Sequence, residues 1–224
     1  MCNITQNIIY IRTDLMLAQE HWNMIVAKEC EESFFLDKLH PFLTLQSQIV
    51  DYGCNQGHLL YEFKANGYRN LIGFDSSSIA IERGKLIYPE LDLRVLEKGM
   101  HIPCLDASLD AVVLSSALHH ISNALERELL MADIWRVLKN KGILYVSDFL
   151  ICEHSFSQGN YVNGFKEFND WGLHVAENQF VVRHYSVQAI MDLLKNFEIQ
   201  WFEQFDFREL PTRRFHCIAR KRFH

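Results

Sequence analysis

The feature that most constrains the fold is the stretch IVDYGCNQG, residues 49–57, which runs directly into HLLYEFKANG. An apolar run, an acid and two glycines around a short turn predict a β-strand that ends at Asp51, turns over Gly53 and enters a helix. Glycine is needed where a Cβ would collide with a ligand or force an unfavourable φ angle. Because ligands of open α/β sheets bind at the carboxyl ends of the strands, the stretch predicts a ligand-binding turn.

A second acid follows one βα unit later, in NLIGFDSSS, where Asp75 ends another apolar run. An acid at the tip of the second strand is placed to hold the two ribose hydroxyls of a nucleoside. The alternative is that Asp75 caps the following helix, since Asp is a favoured N-cap residue. Its position at the strand end favours ribose binding, so the two acids together predict a nucleoside-containing cofactor.

The details of the turn argue against a dinucleotide. A dinucleotide fingerprint needs G-x-G-x-x-G/A, with a small last residue and an open helix N-terminus for the pyrophosphate. Here His58 stands at the last position, where it would obstruct a pyrophosphate, and Asp51 favours a cationic ligand group. Asn55 replaces a glycine in the middle of the turn, and asparagine is the residue best able, after glycine, to adopt the left-handed conformation.

This turn resembles motif I of the class I S-adenosylmethionine-dependent methyltransferases, D-x-G-x-G-x-G, with Asn55 in place of the middle glycine. Residues Ile102–Ile121 are similar to the loop and fourth strand of the same family, with Asp110 opening the strand. Residues Asp133–Phe149 are similar to its helix, glycine turn and fifth strand. Three motifs in order at the right spacing carry the resemblance, which is greatest for the type-11 group of small-molecule methyltransferases.

The resemblance implies an α/β fold, a Rossmann-like seven-stranded mostly parallel sheet with helices on both faces and a C-terminal antiparallel hairpin. Alternating apolar runs and helical patterns agree with this architecture. We expect one methyltransferase domain over residues 1–224, made of a helical cap (1–45), a cofactor-binding core (46–150), a lid or insert (151–185) and a final helix with the closing hairpin (186–224). Residues 151–185 are rich in aromatics and lack a clean period, which predicts an irregular lid over the pocket.

The resemblance also implies S-adenosylmethionine as the cofactor. The residues expected to bind it lie at the ends of the first four strands: Asp51, Gly53, Cys54, Asn55, Gly57, Asp75, Ser76, Gly99, Met100 and Ser115. Relatives often carry an Asp-Ala pair after the third strand, and this chain does not. Backbone N–H groups of Gly99 or Met100 are therefore expected to meet the adenine. For Asp51, lining the cofactor and bracing the turn are equal alternatives, and Met100 is equally a candidate core residue.

Methyl transfer from a sulfonium needs alignment of nucleophile, methyl carbon and sulfur and exclusion of water, so no nucleophilic triad is required. His119 and His120 follow the fourth strand and are the candidate catalytic residues, because histidine takes up protons near neutral pH. Packing or capping is the alternative for both. Aromatic residues near the predicted lid are candidates for the acceptor pocket, with ordinary packing as the alternative for each: Trp22, Tyr161, Phe165, Trp171 and His184.

Composition limits the partners. The net charge of −6 over 224 residues gives no electrostatic footprint for nucleic acid. The chain has no secretory signal pattern and no apolar run of about 18 residues, so a membrane partner is not expected. Six cysteines scattered without short spacings indicate reduced thiols in the cytoplasm and no metal site.

These features favour methyl transfer to a small-molecule acceptor as the function. Two alternatives stay open: a tRNA or protein methyltransferase, and a catalytically inactive protein that binds the cofactor to regulate or scaffold a partner. The acidic balance disfavours an RNA substrate, whereas the altered motifs at Asn55 and around Lys98 keep the inactive alternative open. The residues do not indicate an acceptor atom or an oligomeric state.

Overall fold

A seven-stranded sheet forms the centre of the computed structural model, which describes residues 36–97, 100–153, 155–176, 180–206 and 212–222. Its strands are β1 (Gln48–Tyr52), β2 (Asn70–Asp75), β3 (Asp92–Val95), β4 (Leu109–Ser115), β5 (Leu138–Leu150), β8 (Phe197–Asp206) and β9 (Arg213–Lys221). A separate two-stranded hairpin consists of β6 (Leu173–Val175) and β7 (Val181–Arg183).

The strand order across the large sheet is β3-β2-β1-β4-β5-β9-β8. Strands β1 to β5 pair in parallel, and β9 runs antiparallel to both β5 and β8. The predicted fold, including the closing hairpin, is confirmed. The strand order reverses between β1 and β4, and in such sheets the ligand crevice lies at this switch point, beyond the carboxyl ends of the strands.

Six helices and two 3₁₀ turns connect the strands within the described residues. They are α1 (Leu36–Leu39), α2 (His58–Ala65), α3 (Ser78–Ile87), α4 (Ala124–Val137), α5 (Ser155–Phe168) and α6 (Val187–Leu193), with 3₁₀ turns at His40–Phe42 and Leu118–His120. Of the predicted helical cap, only the part from Leu36 onward is described. None of these helices is long and apolar enough to cross a membrane.

Both faces of the sheet are buried under helices. Along β4, Val112 and Leu114 belong to a cluster that includes residues of α4 and α6, whereas Ala111 and Val113 belong to a second cluster with residues of α1, α2 and α3. Successive side chains of a strand point to opposite faces, so a strand covered on both sides reads as one apolar run. The near-continuous apolar strands of the sequence therefore have a direct structural explanation.

The structure differs from the sequence prediction at two places. Residues 138–140, which the pattern assigns to the end of a helix, open β5 instead, and the β4–β5 register shifts there. Residues 151–185 are not irregular, because they contain α5 and the β6–β7 hairpin. A Cβ on Gly164 would collide with the backbone of Leu173 and His174, so close packing of α5 on the hairpin requires the glycine that interrupts the helical pattern.

Candidate active site

The turn after β1 is tied to the end of β2. The backbone N–H groups of Gly53 and Cys54 both donate to the carbonyl oxygen of Phe74, at 2.7 and 3.1 Å. Gly53 has φ +79°, and a Cβ there would lie 2.8 Å from the Cβ of Ala117 in the loop after β4. Asn55 has φ 49°, so it does take the left-handed conformation expected when it replaces glycine. The turn thus brings together the carboxyl ends of three strands.

Asp75 is the centre of this arrangement and is 3% exposed. One carboxylate oxygen accepts the N–H of Asn55 at 2.9 Å, and the other accepts the N–H of Ser77 at 2.8 Å. The N-cap of α3 is Ser77, whose hydroxyl oxygen accepts the N–H of Ala80, so the helix-cap alternative for Asp75 is wrong. Ribose binding by Asp75 stays a prediction.

Asp51 and Cys54 are both buried, but they lie differently in the turn. Asp51 is 1% exposed and pairs in register with Gly73 of β2 and Val113 of β4, at the switch point of the sheet. The thiol of Cys54 packs inward, because a Cβ on Gly73 would lie 2.7 Å from its sulfur, and burial raises its pKa well above the usual value. Only the backbone of Cys54 is therefore available to line a ligand.

The loop after β3 is held by two residues of α4 that the motifs did not indicate. Asp133 accepts the N–H of Ile102 at 2.6 Å, while Arg136 donates to the carbonyl oxygens of Ile102 and Cys104, each at 2.9 Å. The Asp133 and Arg136 side chains also pair with each other across one helical turn. An aspartate three residues before an arginine on a helix is the sequence signal for such a pair.

The remaining predicted cofactor residues are placed as follows. Ser76 is exposed just beyond β2, and Gly57 is buried at the start of α2 with φ +89°. Met100 packs against the core, with its sulfur 3.5 Å from the Tyr52 hydroxyl, which agrees with the core alternative. Gly99 lies outside the described residues.

A buried arginine of β9 lies at the end of β4. Ser115 pairs in register with Ser147 of β5, and Ser116, with φ 49°, donates its N–H to the Ser147 carbonyl at 2.8 Å. Arg214 of β9 donates to the Ser116 hydroxyl and lies over the ring of Phe149, 4.4 Å from its centroid. Arg214 is 5% exposed, so its charge acts close to the carboxyl ends of β4 and β5.

His119 and His120 lie in the 3₁₀ turn beyond β4. Their ring centroids are 3.8 Å apart, and the backbone N–H of His119 donates to Asp148 at 3.1 Å. Burial, with the neighbouring His119, lowers the pKa of His120 to about 3. The turn is also fixed by the hydroxyl of Tyr185, which donates to the Leu118 carbonyl at 2.9 Å. The sequence analysis did not indicate Asp148, for which the signal is a carboxylate near the end of an apolar strand.

The predicted acceptor residues divide into two groups. Tyr161 is fully buried, and its hydroxyl accepts the N–H of Cys152 at 3.2 Å and lies 2.8 Å from Nδ1 of His184. His184 stacks on Phe149 at the end of β5, with a centroid distance of 5.2 Å. Burial raises the pKa of Tyr161 to about 12 and lowers that of His184 to about 3.

The second group is partly exposed to solvent. Phe165 and Trp171 are 45% and 42% exposed, and their rings meet edge to face with a centroid distance of 6.1 Å. Trp171 also lies 6.0 Å from the ring of Tyr161, so the two groups are continuous. Trp22 lies outside the described residues. The structure therefore brings His184 to the end of β5 through its contact with Phe149, whereas Phe165 and Trp171 are half-exposed.

Known proteins agree with this geometry. Residues 50–146 match a family model described as a methyltransferase domain, of type 11. A SAM-dependent methyltransferase of Methanosarcina mazei superposes with a TM-score of 0.78 at 23% identity, covering 84% of this chain and 98% of that one. The 1,6-didemethyltoxoflavin-N1-methyltransferase of Burkholderia thailandensis, solved with 1,6-didemethyltoxoflavin and S-adenosylhomocysteine, gives a TM-score of 0.70 at 15% identity, covering 99% and 91%.

One curated relative is similar in sequence, the carboxy-S-adenosyl-L-methionine synthase of Nautilia profundicola, which is 31% identical over 120 residues. The aligned part is 53% of this chain and 51% of the relative, so the match spans about half the length of the curated protein. The solved structures have the fold that the motifs predict. The region that matches the type-11 methyltransferase domain begins within β1, includes the turn after it and ends within β5.

Proposed function

We propose that this protein transfers the methyl group of S-adenosylmethionine to a small-molecule acceptor by in-line displacement. The observation that carries the proposal is the hydrogen bond that connects the turn at residues 51–57 to Asp75. Asp75 accepts the N–H of Asn55, so the residue predicted to hold the ribose also holds the turn predicted to hold the methionine part. A cofactor bound across both would contact one preorganised unit, which favours alignment of its methyl group.

The acceptor side is supported by the segment 151–185. Its last residue, Tyr185, donates its N–H to the Phe149 carbonyl at 3.0 Å and accepts the N–H of Ile151 at 2.8 Å, so the segment begins and ends against the tip of β5. The hydroxyl of Tyr185 reaches the loop after β4. A cover that is anchored at the end of β5 and at the loop after β4 favours an enclosed site for a small acceptor and the exclusion of water.

The same observations weigh on the alternatives. Asn55 adopts the backbone conformation that the missing glycine would supply, which weakens one of the two arguments for an inactive cofactor-binding protein. The net charge of −6 disfavours an RNA substrate. The scattered cysteines support a cytoplasmic location, which we propose together with the activity.

The test is a screen with S-adenosylmethionine carrying a labelled methyl group and a panel of phenols, enols, amines, thiols and carboxylic acids. Transfer of label to a small molecule with release of S-adenosylhomocysteine is the expected result. Because one relative is named for making a carboxylated S-adenosylmethionine, mass spectrometry of the cofactor belongs in the same assay. Labelled protein or RNA without a labelled small molecule would contradict the proposal.

A further inference from the structure

One buried carboxylate holds both the backbone and the ring of a single histidine. Asp148, in β5, is fully buried. Its Oδ2 accepts the backbone N–H of His119 at 3.1 Å, and its Oδ1 lies 3.0 Å from Nδ1 of the His119 ring. The same Oδ1 accepts the N–H of Phe149 at 2.8 Å. The ring N–H is not aligned for a linear hydrogen bond, so the ring contact is an electrostatic one at close range.

The charged and titratable groups around His119 favour an ionised Asp148. They come from four elements: Asp148 of β5, Arg214 of β9, His120 of the same turn, and His184 after β7. Burial alone would raise the pKa of Asp148, but His119, the Phe149 N–H and Arg214 outweigh it and lower the pKa below the usual value. A carboxylate beside Nδ1 favours the tautomer with its proton on Nδ1 and leaves the lone pair on Nε2.

The rings of His119 and His120 therefore have different surroundings. Among the described residues, the polar contacts of His119 involve its backbone N–H and Nδ1, which leaves Nε2 outside them. The His120 ring stacks against His119 and meets Phe180 edge to face, 6.2 Å from its centroid. His119 has a carboxylate beside its ring and a fixed backbone, and these are the features of an oriented base.

We propose that Asp148 orients His119, and that His119 takes the proton from a protic methyl acceptor, a phenol- or enol-type O–H. The inference rests on the proposed methyl transfer. In the step, the acceptor oxygen forms a bond to the methyl carbon while the bond from that carbon to sulfur breaks. The electron pair of the broken bond stays on sulfur, which becomes a neutral thioether, and the proton of the O–H passes to Nε2 of His119. Asp148 is a positioning residue, and His119 is the catalytic one.

The first test needs no acceptor. Protein labelled with ¹⁵N-histidine is studied by long-range ¹H–¹⁵N NMR, alone and with S-adenosylhomocysteine, with His119→Gln to assign the signal. We expect the Nδ1–H tautomer for His119 near neutral pH, and its loss in Asp148→Asn. Asp110→Asn is the matched control. Asp110 also connects strands, through Gln48 and Lys139, but it does so at the amino ends of the strands. An Nε2–H tautomer in the unaltered protein, or a tautomer that Asp148→Asn leaves unchanged, would overturn the inference.

If Asp148→Asn does not fold, two other measurements test the inference: the tautomer of His119 in the unaltered protein and the kcat of the His119→Gln variant. With the acceptor returned by the labelled-methyl screen, His119→Gln should lower kcat by about 100-fold or more, the usual range for a lost general base, with unchanged cofactor affinity. A kcat within threefold of the unaltered enzyme, or a panel in which only amines react, would refute the role of His119. Calorimetry separates the two claims: absent binding of S-adenosylhomocysteine rejects the proposed function, whereas binding with the wrong tautomer rejects only the inference.

Discussion

Replacing Asp75 by alanine tests the centre of the proposed cofactor site, and two effects of different origin are expected. The carboxylate accepts the N–H groups of Asn55 and Ser77, and the alanine leaves both donors without it. An unsatisfied buried donor costs about 1–3 kcal/mol, so the unfolding free energy should fall by about 2–4 kcal/mol, with water replacing part of the loss. Loss of two charge-assisted ribose bonds should weaken cofactor binding by about 2–4 kcal/mol, or about 30- to 700-fold in Kd.

Urea unfolding and calorimetry with S-adenosylhomocysteine measure these effects separately. Asp75→Asn keeps one acceptor oxygen and should lie between the two extremes. Asp92→Ala is the matched control, because Asp92 is exposed and its side chain forms an ion pair with Arg94, and such pairs contribute about 1 kcal/mol at most. If Asp75→Ala lowers the unfolding free energy but leaves the Kd unchanged, Asp75 only braces the turn and the ribose assignment fails.

Three further perturbations follow from named contacts. Gly53→Ala should destabilise the protein and abolish S-adenosylhomocysteine binding, since the new Cβ would lie 2.8 Å from Ala117, whereas Gly159→Ala in α5 meets open space and should leave the melting temperature unchanged or raised. Burial lowers the pKa of His184 from its usual 6.5 to about 3, so between these values only the unfolded chain is protonated and stability falls as the pH falls. Unfolding free energies at pH 7 and pH 5 should differ by about 2 kcal/mol from this group, and His184→Phe should reduce the difference. Hydrogen exchange in residues 151–185 should slow when S-adenosylhomocysteine binds; slow and identical exchange in both states would mean a fixed element and no lid.

The sheet was predictable because each of its signals is local. An apolar run ending in an acid and followed by glycine predicts a strand and its turn, and the repeat of that pattern predicts the parallel order. Asn55 shows that such a signal survives a substitution, since its left-handed φ of 49° supplies what a glycine would. The role of Asp75 as a bridge to Asn55 was not predictable, because it depends on the distance between two turns.

The segment 151–185 was harder to predict, for a physical reason. Gly164 lowers the helix propensity of α5 and approaches the hairpin backbone closely, so tertiary packing contributes to holding this helix. Asp148 and Arg214 reach the site from β5 and β9, strands that the sequence places far apart. Asp148 meets His119, and Arg214 meets Ser116, because β5 lies between β4 and β9 in the sheet, and a single sequence without the sheet does not reveal this.

The most direct test of the central claim is calorimetric titration of the unaltered protein with S-adenosylmethionine, S-adenosylhomocysteine and NAD. The account predicts a 1:1 complex with each of the first two ligands and no comparable affinity for NAD, because His58 stands where a pyrophosphate site needs a small residue and Asp51 favours a cationic ligand group. Clear preference for NAD, or no binding of either S-adenosyl ligand, would contradict the account.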